Sequence, residues 1–131
     1  MDVNNKVAVV TGGAHGIGRA LCRALHIEGA RVVVADLELE AATRIAGEVG
    51  GLALRVDVAR EEEIIAAVDR VEQEMGPVDL FVSNAGVAFG DGPDGAASAS
   101  NDHWRACIEI NLMAHVYAAR VLVPRMISRG G

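Results

Sequence analysis

KVAVVTGGAHGIG, residues 6–18, joins a continuous apolar run to a turn that contains four glycines. Residues 6–11 do not alternate apolar and polar side chains, a pattern typical of a strand covered on both faces of a parallel sheet. Apolar side chains then recur at helical spacing and share one face: Ile17, Ala20, Leu21, Ala24 and Leu25. The stretch predicts a strand, a tight turn and an amphipathic helix, the first unit of an alternating α/β fold.

The same alternation continues along the chain. Further strands are predicted over residues 31–36, 52–57 and 79–84, and among these only residues 52–57 alternate apolar with polar side chains. Helices are predicted between them, one over the apolar stripe from Leu39 to Val49 and one from about Arg60 to Met75. Four strand–helix units with short connections predict a Rossmann-type, doubly wound parallel sheet whose remaining strands lie outside this sequence.

The composition excludes several classes of protein. The chain has 131 residues, 51% of them hydrophobic and 3% aromatic, enough for one domain over residues 1–131 with an aliphatic core. A net charge of −6 offers no basic surface to nucleic acid or to anionic membranes. Apolar runs stay far below the roughly 18 residues of a membrane-spanning helix, and the start does not resemble a secretion signal. The cysteines lack metal-ligand spacing. Together these features predict a cytoplasmic protein without nucleic-acid, membrane or metal partners.

The glycine-rich turn is a candidate phosphate site. It follows a strand and opens a helix, so its glycines permit close approach of a pyrophosphate to amides at the positive end of that helix. His15 either donates a hydrogen bond to a phosphate or ribose or is a solvated turn residue. The predicted contacts of the turn are Thr11, Gly12, His15, Gly16, Ile17 and Gly18.

Acidic residues end the second and third predicted strands. Asp36, with Leu37 beside it, lies 18 residues after Gly18. A carboxylate at this position can accept hydrogen bonds from both hydroxyls of an adenosine ribose, and it excludes a phosphate there. Asp57, with Val58, is predicted to lie beside the adenine and to accept its exocyclic amine. For both aspartates the alternative is a local role at the start of the following helix.

A loop rich in glycine, alanine and serine spans residues 86–100. Ligands of open α/β sheets bind outside the carboxyl ends of the strands, and this loop begins at such an end. It is a candidate rim of the active site. For the tip around residues 91–95 the alternative is a surface connection without ligand contacts.

Together these motifs resemble the short-chain dehydrogenase/reductase family. The residues that carry the resemblance are, in chain order, Thr11-Gly12 with Gly16 and Gly18 (TGxxxGxG), Asp36, Asp57-Val58, Ser83-Asn84-Ala85-Gly86 and Asn111. The resemblance implies an oxidoreductase that uses NAD(H) and moves a hydride between nicotinamide and an alcohol or ketone substrate. It also implies that Asn84, Ala85 and Gly86 pack against the ribose of the cofactor and steady the central sheet.

The last predicted helix, Asn101 to Arg129, contains the catalytic candidate. One face is expected to pack against the sheet: Trp104, Ile108, Asn111, Leu112, His115, Ala119 and Leu122. The resemblance assigns Asn111 to a helix irregularity whose freed carbonyl holds a water of the proton relay. The alternative is a core asparagine bonded to a neighbouring turn, and His115 is expected to be a satisfied interior histidine.

A second face of the same helix is also apolar and carries Ile110, Met113, Tyr117 and Val121. A helix that is apolar all round is normally covered all round, so this face is expected to contact something beyond the sheet. In the family that the chain resembles, the corresponding helix lies in a subunit interface. We therefore expect a homodimer or homotetramer.

Members of the family use a serine and a Tyr-x-x-x-Lys pair for proton transfer. The single tyrosine of this sequence is Tyr117 and the single lysine is Lys6, so the pair is absent from these 131 residues. We expect the sequence to be the N-terminal half of a longer enzyme, inactive when made alone. The alternative function is a truncated or non-catalytic module that binds NAD without turning it over.

Overall fold

The structure, a computed structural model, describes residues 2–90, 92–95 and 98–130. In that part of the chain the strands β1 to β4 are Val7–Thr11, Arg31–Asp36, Leu52–Arg55 and Leu80–Val82. The first three helices, α1 to α3, are Gly16–Ile27, Leu39–Glu48 and Glu61–Met75. The last helix begins as α4, Asn101–Ile108, passes through a π-helical segment, Glu109–Met113, and continues as α5, Ala114–Ser128.

The described strands form one parallel sheet in the order β3-β2-β1-β4. Val9 of β1 pairs with Val33 of β2 on one side and with Phe81 of β4 on the other. The chain moves outward from β1 to β3 and then returns past β1 to form β4. The strand order reverses at β1, which creates a crevice between the carboxyl ends of β1 and β4.

Two apolar layers cover the sheet. On one face Ala8, Val10, Val32 and Val34 pack with buried residues of α1 and α2. On the other face Val7, Val9, Val33 and Ala35 pack with buried residues of α3 and α5. Successive side chains of a strand point to opposite faces, so strands covered on both sides must be apolar throughout. The doubly wound α/β fold predicted from the sequence is confirmed.

Two strands are shorter than predicted. The β3 ladder ends at Arg55, and after Val56 the Asp57 N–H turns away to donate to the Glu63 carboxylate at 2.8 Å. The β4 ladder ends at Val82, and the Asn84 N–H donates to the Val82 carbonyl at 3.0 Å. Both strands stop where the backbone begins to form the crevice.

The last helix turns a different face to the core than the sequence predicts. Residues assigned to the sheet-facing side are exposed: Trp104, Ile108, Asn111, Leu112, His115 and Ala119. Leu112 has 57% of its surface exposed, whereas Leu122 of the same predicted face is buried. The prediction that His115 is an interior histidine is therefore wrong.

The face that packs against the sheet and α3 is centred on the buried alanines Ala114 and Ala118. Ile110, Tyr117 and Val121 flank them and pack against the same core, so the prediction that this face lies away from the sheet is wrong for these three residues. The subunit interface itself stays a prediction. The small alanines allow a close approach of helix to sheet. A π-helical turn also adds a residue to the helical repeat. Residues that share one face by α-helical spacing before this turn therefore no longer share it with those after the turn.

The stretch Asn101–Ser128 is long and apolar enough to cross a membrane by length and composition, with a mean hydropathy of 1.4 over 18 residues. A helix on one side of a protein core passes the same test. Of that window 17% is buried, and the residues of this helix buried in the core are Ala114, Ala118 and Leu122.

Arginines of α5 hold it to α3. Arg125 donates to Asp69 at 2.7 Å and to Glu72 at 2.8 Å, and Arg129 donates to Glu72 at 2.8 Å. Burial raises the pKa of the Glu72 carboxyl, but hydrogen bonds from Arg125, the Val78 N–H and Arg129 outweigh it and lower the pKa below its ordinary value. Ionised Glu72 therefore stabilises the folded chain.

We expect Glu72→Gln to lower the free energy of unfolding by about 1 to 2 kcal/mol at neutral pH. The contribution is complete above the unfolded pKa of a glutamate, about 4.3, and is lost as the pH falls through the lower folded pKa. Urea unfolding at several pH values should show that the difference in free energy of unfolding between wild type and variant becomes smaller in acid. Glu74→Gln, which breaks only the exposed pair with Arg70, is the control, and an equal loss in both variants contradicts the assignment.

Candidate functional site

A cleft of about 500 Å³ opens at the carboxyl ends of the strands, at the reversal of strand order. Its walls come from the glycine-rich turn, from the segments after β2, β3 and β4, and from the π-helical segment. The residues that line it are Gly12, His15, Gly16, Ile17, Gly18, Asp36, Leu37, Glu38, Val56, Asp57, Val58, Asn84, Ala85, Gly86, Val87 and Ile110.

The glycine-rich turn lets α1 begin almost in contact with the end of β1. Gly12 has a φ of +63°, a conformation that L side chains rarely adopt. At Gly18 a Cβ atom would lie 2.0 Å from the Gly12 carbonyl oxygen and 2.6 Å from the Asn84 side-chain nitrogen. The turn therefore closes on itself only because residue 18 has no side chain.

The first turn of α1 faces the cleft. Gly16, Ile17 and Gly18 line it, and Ile17 has 75% of its surface exposed. The first N–H groups of a helix have no intrahelical partner and carry the positive end of the helix dipole. His15 precedes them, and its Nε2 lies 3.5 Å from the Glu38 carboxylate, across the mouth of the cleft.

Asp36 ties the two walls of this end of the cleft together. Its Oδ2 accepts the Ala14 N–H at 3.0 Å, and its Oδ1 accepts the Glu38 N–H at 3.1 Å. The local role considered from the sequence is thus present, and the same carboxylate lines the cleft beside Leu37. Two backbone donors hold the carboxylate in place, while each oxygen keeps a further lone pair for a ligand.

The segment after β3 forms the next part of the wall. Val56 and Val58 are buried, and Asp57 lies between them at the cleft. Asp57 Oδ1 accepts the Ala59 N–H at 3.0 Å, the local contact that the sequence left as an alternative. The Glu63 carboxylate accepts the Asp57 N–H and so holds the backbone there.

Thr11 and Asn84 join the ends of β1 and β4. The Thr11 hydroxyl accepts the N–H groups of Asn84 and Ala85 at 3.0 and 3.1 Å, and the Asn84 amide donates to the Thr11 carbonyl at 3.0 Å. Thr11 has only 2% of its surface exposed and lies beneath the cleft rather than along it. Asn84, Ala85 and Gly86 line the cleft directly.

Asn111 lies in the π-helical segment and holds the segment after β4. Its Oδ1 accepts the Val87 N–H, and its Nδ2 donates to the Val87 carbonyl, both at 2.8 Å. A Cβ at Gly86 would lie 3.2 Å from Asn111 Oδ1, so glycine leaves room for this pair of bonds. Asn111 is exposed rather than buried, and its neighbour Ile110 reaches the cleft.

Tyr117 and Lys6 do not form an acid–base pair. The hydrogen bond that Tyr117 Oη donates to Glu109 at 3.0 Å raises the pKa of Tyr117 above its ordinary value, opposite to the shift an acid near neutral pH needs. Lys6 pairs with Asp79 at the amino ends of the strands.

The sequence missed several residues of the cleft. Glu38, Val56 and Ile110 line it, and each is a direct neighbour in sequence of a predicted residue. Val87 also lines the cleft, and it belongs to the loop 86–100 predicted as the rim. In the predicted loop 86–100, Asp91, Ala96 and Ala97 lie outside the described residues, whereas Phe89 stacks on His103 with 4.5 Å between ring centroids. Within residues 2–90, 92–95 and 98–130 no cluster of three His, Cys, Asp or Glu side chains could hold a metal ion.

Comparison with known proteins supports the resemblance over nearly the whole chain. Residues 6–131 match the short chain dehydrogenase family. Galactitol 2-dehydrogenase from Agrobacterium fabrum is 34% identical over 131 residues, 98% of this chain and 50% of that protein. Cyclohexanol dehydrogenase from an Acinetobacter strain is 35% identical over 133 residues, 98% of this chain and 52% of that protein.

A solved structure from Novosphingobium aromaticivorans, described as a short-chain dehydrogenase, superimposes with a TM-score of 0.89 and 32% identity. The match covers 98% of this chain and 48% of that one. The chain thus spans about half the length of the relatives it matches. The family match, the relatives and the fold agree, and this chain belongs to the short-chain dehydrogenase/reductase family.

Proposed function

We propose that this chain is the dinucleotide-binding half of an oxidoreductase that uses NAD(H) to interconvert an alcohol and a ketone. The observation that carries the proposal is the position of the Asp36 carboxylate, fixed by two backbone N–H groups at one end of the cleft. The bound cofactor would accept the hydride as NAD+ or supply it as NADH. Everything else in the site serves to bind, orient or support proton transfer.

The adenosine end fits the wall formed by Asp36, Leu37 and Asp57. A fixed carboxylate beside Leu37 is suited to accept two ribose hydroxyls, and it repels a 2′-phosphate. Val58 supplies an apolar surface beside the base, and Asp57 supplies an acceptor for its amine. These groups favour NAD(H) over NADP(H).

The pyrophosphate fits the first turn of α1. Gly12, Gly16 and Gly18 let the backbone approach it, and the free N–H groups of the helix start are suited to bind an anion. His15 contributes a further donor at the rim. Asn84, Ala85 and Gly86 continue the cleft toward Ile110, where the nicotinamide end fits.

Asn111 supports proton transfer through the backbone. Its side chain is occupied by Val87, so it sets the position of the π-helical segment rather than touching a substrate with its amide. A π-helical turn interrupts the α-helical ladder, and the carbonyl freed there is suited to bind a relay water. These 131 residues contain no Tyr-x-x-x-Lys pair.

The relatives named above are dehydrogenases of galactitol and cyclohexanol, which favours a small secondary alcohol or the matching ketone as substrate. We propose a cytoplasmic homodimer or homotetramer. Its contacts use the exposed side of the last helix around Trp104, Ile108 and Leu112 instead of the buried face around Tyr117.

Nicotinamide absorbance is expected to report turnover when the intact protein is supplied with NAD and a panel of polyols and cyclic alcohols. We expect Asn111→Leu to lower kcat by about 100-fold or more, within the range of general acid–base contributions. The dissociation constant for NAD should change little, because the adenosine end is untouched. Activity assays measure kcat, and NAD titration of the same preparations measures the dissociation constant.

Asn101→Leu is the matched control, since Asn101 lies at the exposed start of α4, away from the cleft. NAD binding without turnover on any alcohol or ketone would favour the non-catalytic module. Failure of the intact protein to bind NAD would contradict the proposal as a whole.

A further inference from the structure

We propose that Glu63 is a positioning residue that sets the adenine-facing wall of the cleft by holding the backbone of Asp57. The inference rests on the NAD site proposed above. Glu63 lies in helix α3, outside the cleft, and it contributes to recognition of the adenine base through Asp57.

The wall in question is the short segment between β3 and α3. The Val56 N–H continues the ladder by donating to the Asp36 carbonyl at 3.0 Å. After that bond the chain leaves the sheet, so ordinary strand pairing no longer determines where Asp57 points. Val56 and Val58 are buried, and Asp57 lies at the cleft between them.

Glu63 replaces the lost strand partner. It lies in the first turn of α3, and its Oε2 reaches back to accept the Asp57 N–H at 2.8 Å. Arg55 donates to the same oxygen at 3.2 Å, and Arg60 lies 3.4 Å from the other oxygen. The Glu63 side chain is 28% exposed, so these partners hold a carboxylate that is largely shielded from solvent.

The Asp57 carboxylate is oriented by the same segment. Its Oδ1 accepts the Ala59 N–H at 3.0 Å, and among the described residues Oδ2 accepts no hydrogen bond. With backbone and side chain both held, Oδ2 is the oxygen presented to a ligand. A carboxylate oxygen attracts the amino group of adenine and repels the carbonyl oxygen of hypoxanthine.

The test compares NAD with its hypoxanthine analogue, whose base has a carbonyl oxygen in place of the amine and a hydrogen on N1. Titration of the intact wild-type protein should show tighter binding of NAD. Glu63→Ala is expected to reduce this preference by about five- to tenfold, the worth of one well-placed hydrogen bond. Glu63→Asp, one methylene shorter, should also reduce it, and it provides a second variant if the alanine variant does not fold.

Glu63→Gln is expected to keep the preference within about twofold, because the amide oxygen still accepts the Asp57 N–H. Glu62→Ala is the control, since Glu62 occupies the same helical turn and pairs with Arg60 alone among the described side chains. Equal weakening of both dinucleotides in Glu63→Ala and Glu63→Asp would make Glu63 a structural residue only and overturn the inference. Wild-type protein that binds both equally overturns it too, whereas wild-type protein that binds neither overturns the proposed function.

Discussion

Replacing Gly18 with alanine is expected to destroy the cleft. The new methyl group would lie 2.0 Å from the Gly12 carbonyl oxygen, and neither backbone segment can move without displacing the start of α1 from β1. Overpacking in a well-packed site typically costs about 1 to 3 kcal/mol, and a clash with backbone should fall at or above the upper end. We expect the free energy of unfolding to drop by about 3 kcal/mol and NAD binding to be lost.

Denaturant unfolding and NAD titration of the intact variant measure both effects. Gly47→Ala is the matched control, because a Cβ at Gly47 meets no described atom within 4 Å and the residue lies inside α2. That change should stabilise the chain by about 0.5 to 1 kcal/mol. A Gly18→Ala protein as stable as wild type would show that the turn is looser than the described geometry.

The second large effect concerns the choice between NAD(H) and NADP(H). Asp36→Ala removes the acceptor of the ribose hydroxyls and the charge that repels a 2′-phosphate, so the two affinities should move in opposite directions. A like-charge contact in a partly desolvated site is worth several kcal/mol. We expect the ratio of the two dissociation constants to change by about 100-fold or more.

Asp36→Asn separates the two causes, since it removes the charge and keeps one acceptor oxygen, which can serve one of the two backbone N–H groups that the carboxylate accepts. The asparagine variant should gain NADP(H) binding with less damage to the turn. Glu40→Gln removes a negative charge from the exposed start of α2 without touching the cleft and should leave the ratio unchanged. Wild-type protein that binds NADP(H) as tightly as NAD(H) would contradict the role of Asp36.

The sheet and its glycine-rich turn were predictable because each rests on a short, strongly constrained pattern. Strands covered on both faces must be apolar, and a turn as tight as that around Gly12 and Gly18 accepts hardly any other residue. Asp36 was predictable from its distance to the turn. Its position in the cleft agrees with the prediction, while its role in binding a ribose stays a prediction.

The orientation of the last helix could not be predicted from periodicity. Both sides of that helix are apolar, and the side with the larger residues, Trp104 and Leu112, is the exposed one. The buried side is centred on Ala114 and Ala118. These residues are buried because their small side chains let the helix approach the sheet closely, not because they are strongly hydrophobic. The π-helical segment then shifts the phase between the two halves of the helix.

The contact of Glu63 with Asp57 was missed for a related reason. Three glutamates lie in the first turn of α3, where the positive end of the helix dipole favours any of them equally. Only the turn of the backbone after Val56 brings one of them under the cleft. A contact that depends on a loop conformation has no periodic signature in the sequence.

The strand order has a consequence for the path of folding. Neighbours β1 and β2 pair residues that are 24 apart in the chain, such as Ala8 and Val32, whereas β1 and β4 pair Ala8 with Leu80. The entropy lost in closing a loop rises with its length, so we expect β1 and β4 to pair more slowly than the strands that are nearer in the chain. The bonds between Thr11 and Asn84 belong to this late contact. We therefore expect the cleft to form late in folding, because a nascent chain has all of its walls only once β4 and the π-helical segment have been synthesised.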